Sequence, residues 1–264
     1  MTESRKDTPL RLLQITDSHL HAAADSRMRG VRTYATLLSV LQHARADARW
    51  PADAILATGD IVQDESRAGY ERFRETVEPL GVPVLSIPGN HDDPTLMAEV
   101  LSGGRFQVGG ELRHGAWSIV MLSTFLAGED SGGLGPARLE GLRKSLAAHV
   151  GQHVLVAMHH HALPVGSTWL DGVALRDSRA FLNVIDSFSN VRVILSGHVH
   201  QAADQQRSRR ATPGGDRQQQ RDRYRGIIGV TLLQAERARH HVEHELGVPH
   251  DRQRHRGSSL RQGR

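Results

Sequence analysis

Five short apolar runs in the first two hundred residues each lead into residues that can bind a metal ion, and this recurrence restricts the fold more than any other property of the chain. The runs are Leu10 to Thr16 before Asp17-Ser18-His19, Ala54 to Ala57 before Thr58-Gly59-Asp60, Val82 to Ile87 before Pro88-Gly89-Asn90-His91-Asp92, His153 to Met158 before His159-His160-His161, and Val191 to Leu195 before Gly197-His198-Val199-His200. Apolar runs of about 4–8 residues bounded by turn residues read as buried strands. Helical periodicity fills the gaps between them. Tyr34, Leu37, Leu38, Leu41, Ala44 and Ala48 mark a helix over 31–49, and Tyr70, Phe73 and Val77 mark one over 66–80 that Gly81 closes. Shorter helices are expected over 94–101, 136–149 and 177–188, with a further strand over 116–123 and a loop over 162–176. Alternating strands and helices predict an α/β fold with a largely parallel sheet. In such sheets ligands bind beyond the carboxyl ends of the strands, where these polar residues lie.

The chain has no cysteine, which excludes disulfides, zinc-thiolate sites, iron–sulfur clusters and cysteine nucleophiles, so any metal is held by nitrogen and oxygen. Asp17, His19, Asp60, Asn90, His159, His198 and His200 are the candidate ligands. Such mixed N/O donors suit Mn, Fe or Zn better than Mg or Ca, which favour all-oxygen shells. Seven ligands are too many for one ion with an open position, whereas two ions sharing one Asp, about 3.5–4 Å apart, fit in-line displacement at phosphorus. Gly59, Gly89 and Gly197 each precede a candidate ligand, where a tight turn would aim the next side chain into the site.

The segments Ile15-Thr16-Asp17-Ser18-His19, Gly59-Asp60, Gly89-Asn90-His91-Asp92, His159-His160 and Gly197-His198-Val199-His200 resemble, in order, the five signatures of the calcineurin-like metallophosphoesterases. Leu13-Gln14-Ile15-Thr16-Asp17-Ser18-His19-Leu20, Gly30-Val31, Ala57-Thr58-Gly59-Asp60, His159-His160-His161-Ala162-Leu163-Pro164, Gly166-Ser167-Thr168-Trp169-Leu170-Asp171 and Gly197-His198-Val199-His200-Gln201 are similar to the bacterial class III cyclic nucleotide phosphodiesterases of the CpdA type. The resemblance implies a four-layer αββα sandwich of two mixed β-sheets flanked by helices. It implies two divalent metal ions, Fe or Mn with Zn as the other candidate. Asp17, His19 and His200 would hold the first, Asn90, His159 and His198 the second, and Asp60 would bridge. It further implies hydrolysis of 3',5'-cyclic AMP to the 5'-monophosphate by metal-bound hydroxide. Asn90, His91 and His200 would contact the substrate, and His91, oriented by Asp92, would serve the phosphoryl oxygens or the leaving group. One of His160 and His161 lines the substrate pocket or the two have a packing or surface role, and Trp169 either anchors its loop or stacks on a purine.

The resemblance stops near Gln201. Residues 201–264 carry 14 Arg against 7 Asp plus Glu, a net of +7, while residues 1–200 carry 19 basic against 22 acidic, a net of −3. The basic character of the chain therefore belongs to the tail and is not a property of the site. Residues 201–225 are rich in Arg and Gln, only 226–233 reads as a buried strand, and 240–264 reads as poorly ordered. The expected division is a catalytic domain over 1–200 and an atypical segment over 201–264, as a reading-frame change in the gene would produce. Finding the family's closing strands in the shifted frame would establish such a change; their absence would leave an authentic divergent tail. The arginines lack the interleaved aromatics of a nucleic-acid surface, so a nucleic-acid partner is not expected. No leader-like or membrane-spanning run is present, and a cytoplasmic protein is expected. Monomer and homodimer both stay open, as do action on other phosphodiesters and an inactive relative impaired by its C-terminal segment.

Overall fold

The computed structural model describes residues 9–208 and 223–228. Strands β1 (Leu12–Ile15), β2 (Ala54–Ala57), β3 (Val84–Ser86) and β4 (Phe106–Val108) form one sheet in that order, with every pair parallel. Helices α1 (Thr33–Ala46), α2 (Arg67–Val77) and α3 (Pro94–Val100) connect them. Side-chain alternation sorts each strand onto two faces. Ile15, Ile55, Ala57 and Val84 pack with Leu37 and Leu41 of α1, Tyr70, Phe73 and Val77 of α2, and Met97 of α3. Full burial of one side chain such as Phe73 contributes about 1.5–3 kcal/mol. The intervening residues Ala54, Leu56 and Leu85 face the second core instead. Helix α2 starts where the Ser66 hydroxyl accepts from Gly69 N, and α3 where the Asp93 carboxylate accepts from Thr95 N and Leu96 N, with Pro94 in its first turn.

The second sheet contains β5 (Glu111–His114), β6 (Trp117–Met121), β7 (His153–Ala157), β8 (Val191–Ser196), β9 (Ala203–Ser208) and β10 (Arg223–Ile228), in the order β5-β6-β7-β8-β10-β9. Its buried residues Ile119, Leu155, Val156 and Ile194 share a core with Leu142 and Leu146 of α4 (Gly135–Ala148) and with Phe181, Val184 and Ile185 of α6 (Ser178–Asp186). The layers are thus helices, sheet, sheet, helices. Gln14 ties the two sheets at the end that carries the motifs, donating to the Thr58 hydroxyl (2.7 Å) and to the Ser196 carbonyl (3.0 Å). No described helix is long and apolar enough to cross a membrane.

Two mixed sheets were expected, but the first sheet is wholly parallel and only the second is mixed. Helical crossovers α1 and α2 return the chain in the same direction each time. Among the described strands, antiparallel pairing occurs only at the two margins of the second sheet, β5 with β6 and β9 with β10. The short helix α5 (Thr168–Gly172) lies within the stretch expected to be loop. Strand β9 also falls where no strand is expected. Beyond Ala203 its inward positions are polar rather than apolar: Gln205 donates to the Pro164 carbonyl at 2.8 Å, and Arg207 pairs with Asp186, with one contact at 2.9 Å. Alternation is present in β9, but no hydrophobicity marks it. The expected strand over 226–233 begins earlier, at Arg223, and its residues beyond 228 lie outside the described ones.

Candidate metal centre

The loops leaving β1, β2, β3, β7 and β8 converge and bring all seven candidate ligands to one place. Asp17, His19, Asp60, His198 and His200 all have left-handed backbone, with φ of 54°, 43°, 51°, 72° and 51°. Non-glycine residues rarely accept that conformation, and it clusters at sites where side-chain direction matters more than local ease. Of the three glycines assigned to tight turns, only Gly59 has positive φ, at 97°. Gly89 and Gly197 are required for close approach instead, because a Cβ would collide with the Asp60 carboxylate or the Thr16 hydroxyl.

One potential ligand atom from each of Asp17, His19, Asp60 and His200 lies within 4.8 Å of the others. His19 Nε2 and His200 Nε2 are 3.0 Å apart, His200 Nε2 is 3.2 Å from Asp17 Oδ1, and His19 Nε2 is 3.7 Å from Asp60 Oδ2. The other oxygen of Asp60 faces the second group: Oδ1 is 3.4 Å from His159 Nε2, which lies 3.3 Å from Asn90 Oδ1. Asp60 therefore presents one oxygen to each group, as a bridging ligand would. His159 Nδ1 sits 2.8 Å from the Thr58 carbonyl, so its proton belongs there and Nε2 offers a lone pair. His198 Nε2 is buried without a hydrogen-bond partner among the described residues, the condition of a nitrogen whose partner is a cation. The donor set, its convergence and this orphaned nitrogen all fit two divalent metals.

Electrostatics prepares the site for cations. Burial pushes His19 down to about 4 despite Asp60 and Asp17, and burial together with His159 pushes His198 down to about 3, so both imidazoles are neutral at neutral pH, the form that can bind a metal. Burial would raise Asp60, yet His159 and His19 hold it well below the usual carboxylate range. His159 goes the other way. Burial lowers it, but Asp60 outweighs burial and raises it to about 9. In the metal-free protein the proton on His159 stabilises the fold fully below the unfolded value of about 6.5, and this contribution is lost as pH rises through about 9. A metal held by His159 Nε2 would have to displace that proton. Apparent Mn(II) affinity should therefore rise about tenfold per pH unit between about pH 7 and 9. Calorimetric titration at several pH values measures this, and a flat profile would show that His159 binds no proton there.

The remaining site residues separate in role. Asp92, expected to orient His91, does not do so. Its carboxylate accepts from Ile61 N (3.1 Å), Val62 N (3.1 Å), Gly89 N (2.9 Å) and Tyr70 Oη (2.9 Å), pinning the loops that carry Asp60 and Asn90. Burial and the charge of Asp60 push Asp92 up to about 7 against the pull of those donors. The residue that reaches the His91 ring is Gln63, 3.2 Å from Nδ1, which the sequence reading overlooked. His160 groups spatially with His159 and His198, but its ring nitrogens lie 2.8 Å from the Thr124 hydroxyl and 3.2 Å from the Asp130 carbonyl. It forms a buried wall behind the ligands. His161 is also buried, stacked on the His198 ring at 5.9 Å and 3.5 Å from Asp171 Oδ1, so neither histidine lines an open pocket.

Residues 10–202 match the calcineurin-like phosphoesterase family. The chain is 40% identical over 193 residues to the 3',5'-cyclic adenosine monophosphate phosphodiesterase CpdA of Haemophilus influenzae, covering 73% of this chain and 70% of that protein. It is 36% identical over 196 residues to the protein of the same name from Escherichia coli K12, covering 74% and 71%. A dimetal phosphatase from Danio rerio shares the fold, with a TM-score of 0.62 and 14% identity over 85% of this chain and 88% of that one.

Proposed function

The chain belongs to the calcineurin-like phosphoesterase family, and within it we propose a dinuclear-metal phosphodiesterase that hydrolyses 3',5'-cyclic AMP to the 5'-monophosphate. The observation that carries the substrate is the 40% identity to a relative named for that activity. In this reading Asp17, His19 and His200 hold one ion, Asn90, His159 and His198 hold the other, and Asp60 bridges, which agrees with its two oxygens lying toward the two groups. Iron and manganese suit these donors best, with zinc the alternative. When bound, the two cations neutralise charge on the phosphodiester and supply an activated water as nucleophile. The protein's own part is to fix the ligands, exclude alternative geometries and place Asn90, His91 and His200 against the substrate. Residues 1–200 form the catalytic domain and 201–264 an atypical segment, a division supported by a family match that ends at residue 202, although β9 and β10 of that segment join the second sheet. In this reading a cyclic nucleotide substrate is consistent with a cytoplasmic enzyme, and no described helix is long and apolar enough to cross a membrane.

Trp169 supports a purine substrate. It is 68% exposed, so it does not anchor its loop. The anchor is its neighbour Leu170, buried against Val199 between the two histidines of the last motif, and the Ser167 hydroxyl accepts from Leu170 N to start α5. The Asp171 carboxylate accepts from Val165 N (2.8 Å) and Gly166 N (3.1 Å), fixing the rest of the turn. A rigidly mounted, exposed indole beside the ligand loop suits base stacking, worth about 1–3 kcal/mol. Trp169→Ala should raise KM for cyclic AMP about tenfold while kcat stays within about twofold. The reading as a whole is tested by assaying Mn- or Fe-reconstituted protein on cyclic AMP, cyclic GMP and bis(p-nitrophenyl) phosphate. Turnover of the artificial diester alone would overturn the cyclic nucleotide assignment and keep the chemistry; turnover of none would favour an inactive relative.

A further inference from the structure

Given the reading that His91 touches the phosphodiester, we propose that Gln63 is the positioning residue that keeps the ring proton of His91 on Nε2, making that histidine a hydrogen-bond donor to a phosphoryl oxygen. The Gln63 side-chain nitrogen lies 3.2 Å from His91 Nδ1. An amide N–H donates, so Nδ1 must accept and the ring N–H must sit on the other nitrogen. The reverse amide orientation would place an oxygen against Nδ1 and call for the opposite tautomer. A second observation disfavours it. Gln63 Oε1 is buried with no hydrogen-bond partner, and reversal would put an NH2 with two donors where one acceptor now goes unmatched.

Both residues are held by their backbones, so the contact is built and not incidental. Gln63 N donates to the Leu20 carbonyl at 2.8 Å, next to the bridge pairing Leu20 with Val62, which locks the Gln63 loop to the strand end carrying His19. His91 N donates to Asp60 Oδ1 at 3.0 Å, and its ring meets the His19 ring edge-on at 5.3 Å. Two loops that already supply ligands thus meet through a Gln–His pair. Asp92, the carboxylate next in sequence, is occupied by three backbone N–H groups and Tyr70 and cannot do this work. A neutral amide in this place has a chemical advantage over a carboxylate. A carboxylate only accepts, so it would require a ring proton on Nδ1, and Nε2 would then donate only if the ring took up a second proton. No proton changes hands in the proposed role: Nε2–H donates a hydrogen bond as negative charge grows on the phosphoryl oxygen.

The test combines the tautomer with a mutant cycle on the full-length, zinc-loaded protein. Two-bond proton–nitrogen correlation spectra of histidine-labelled protein, with His91 identified by its loss in His91→Ala, should show the proton on Nε2 in wild type. They should show Nδ1 unprotonated in wild type and carrying a proton in Gln63→Glu. Gln63→Leu should lower kcat for cyclic AMP about tenfold with metal content retained, and by less than about twofold further when His91 is already alanine. A wild-type spectrum with the proton on Nδ1, or fully additive losses for Gln63→Leu and His91→Ala, would overturn the proposal. If Gln63→Leu does not fold, the wild-type and Gln63→Glu spectra still decide it. The underlying reading of His91 fails separately, by His91→Ala costing less than about twofold in kcat, and the spectra report on Gln63 in that case too.

Discussion

Asp60→Ala should lower kcat/KM for cyclic AMP by at least about a thousandfold and leave fewer than two metals per chain. The size of the effect follows from position. Oδ2 lies 3.7 Å from His19 Nε2 and Oδ1 3.4 Å from His159 Nε2, so one truncation takes a donor from both groups at once. It also removes the acceptor for His91 N and the charge that raises His159 to about 9. His159 then returns toward an ordinary value, and the pH dependence of whatever metal binding survives should weaken. Elemental analysis beside steady-state kinetics checks both. A variant that keeps two metals and most of its activity would show that Asp60 does not bridge.

Asp92→Ala should lower stability by about 3–5 kcal/mol. Three backbone N–H groups and the Tyr70 hydroxyl lose their acceptor together in a fully buried place. Ile61 and Val62 follow Asp60 directly, and Gly89 precedes Asn90, so metal occupancy should fall with stability. Denaturant unfolding of the metal-free protein isolates the structural part. A loss below about 1 kcal/mol would mean that water replaces the carboxylate without cost.

The strand ends and the ligand types were legible in the sequence because two signals coincide there, an apolar run and a polar residue whose chemistry is specific to metals. Helices α1 and α2 were legible from the spacing of Leu37 and Leu41, or Tyr70, Phe73 and Val77, all of which are buried. Roles that depend on which atom meets which were not. Asp92 follows His91 in the chain, and adjacency suggests that it orients the imidazole; its carboxylate turns instead toward the backbone of Ile61 and Val62, 31 and 30 residues earlier. Gln63 carries no metal-ligand signature and reads as an ordinary loop residue until its distance to His91 is known. Strand β9 escaped because its inward residues are Gln205 and Arg207, whose place in the sheet rests on hydrogen bonds and an ion pair rather than on apolar burial.

The origin of the ligands has a mechanical consequence. Asp17, His19, Asp60 and Asn90 stand on loops of the parallel sheet, whereas His159, His198 and His200 stand on loops of the mixed one. In the proposed assignment each cation takes donors from both layers, so neither layer can retain a cation alone. The ions then act as rivets through the sandwich, joining segments from the beginning and the end of the family-matched region. Their binding free energy is shared with the packing of one sheet on the other, and stripping the metal and loosening that seam become a single event.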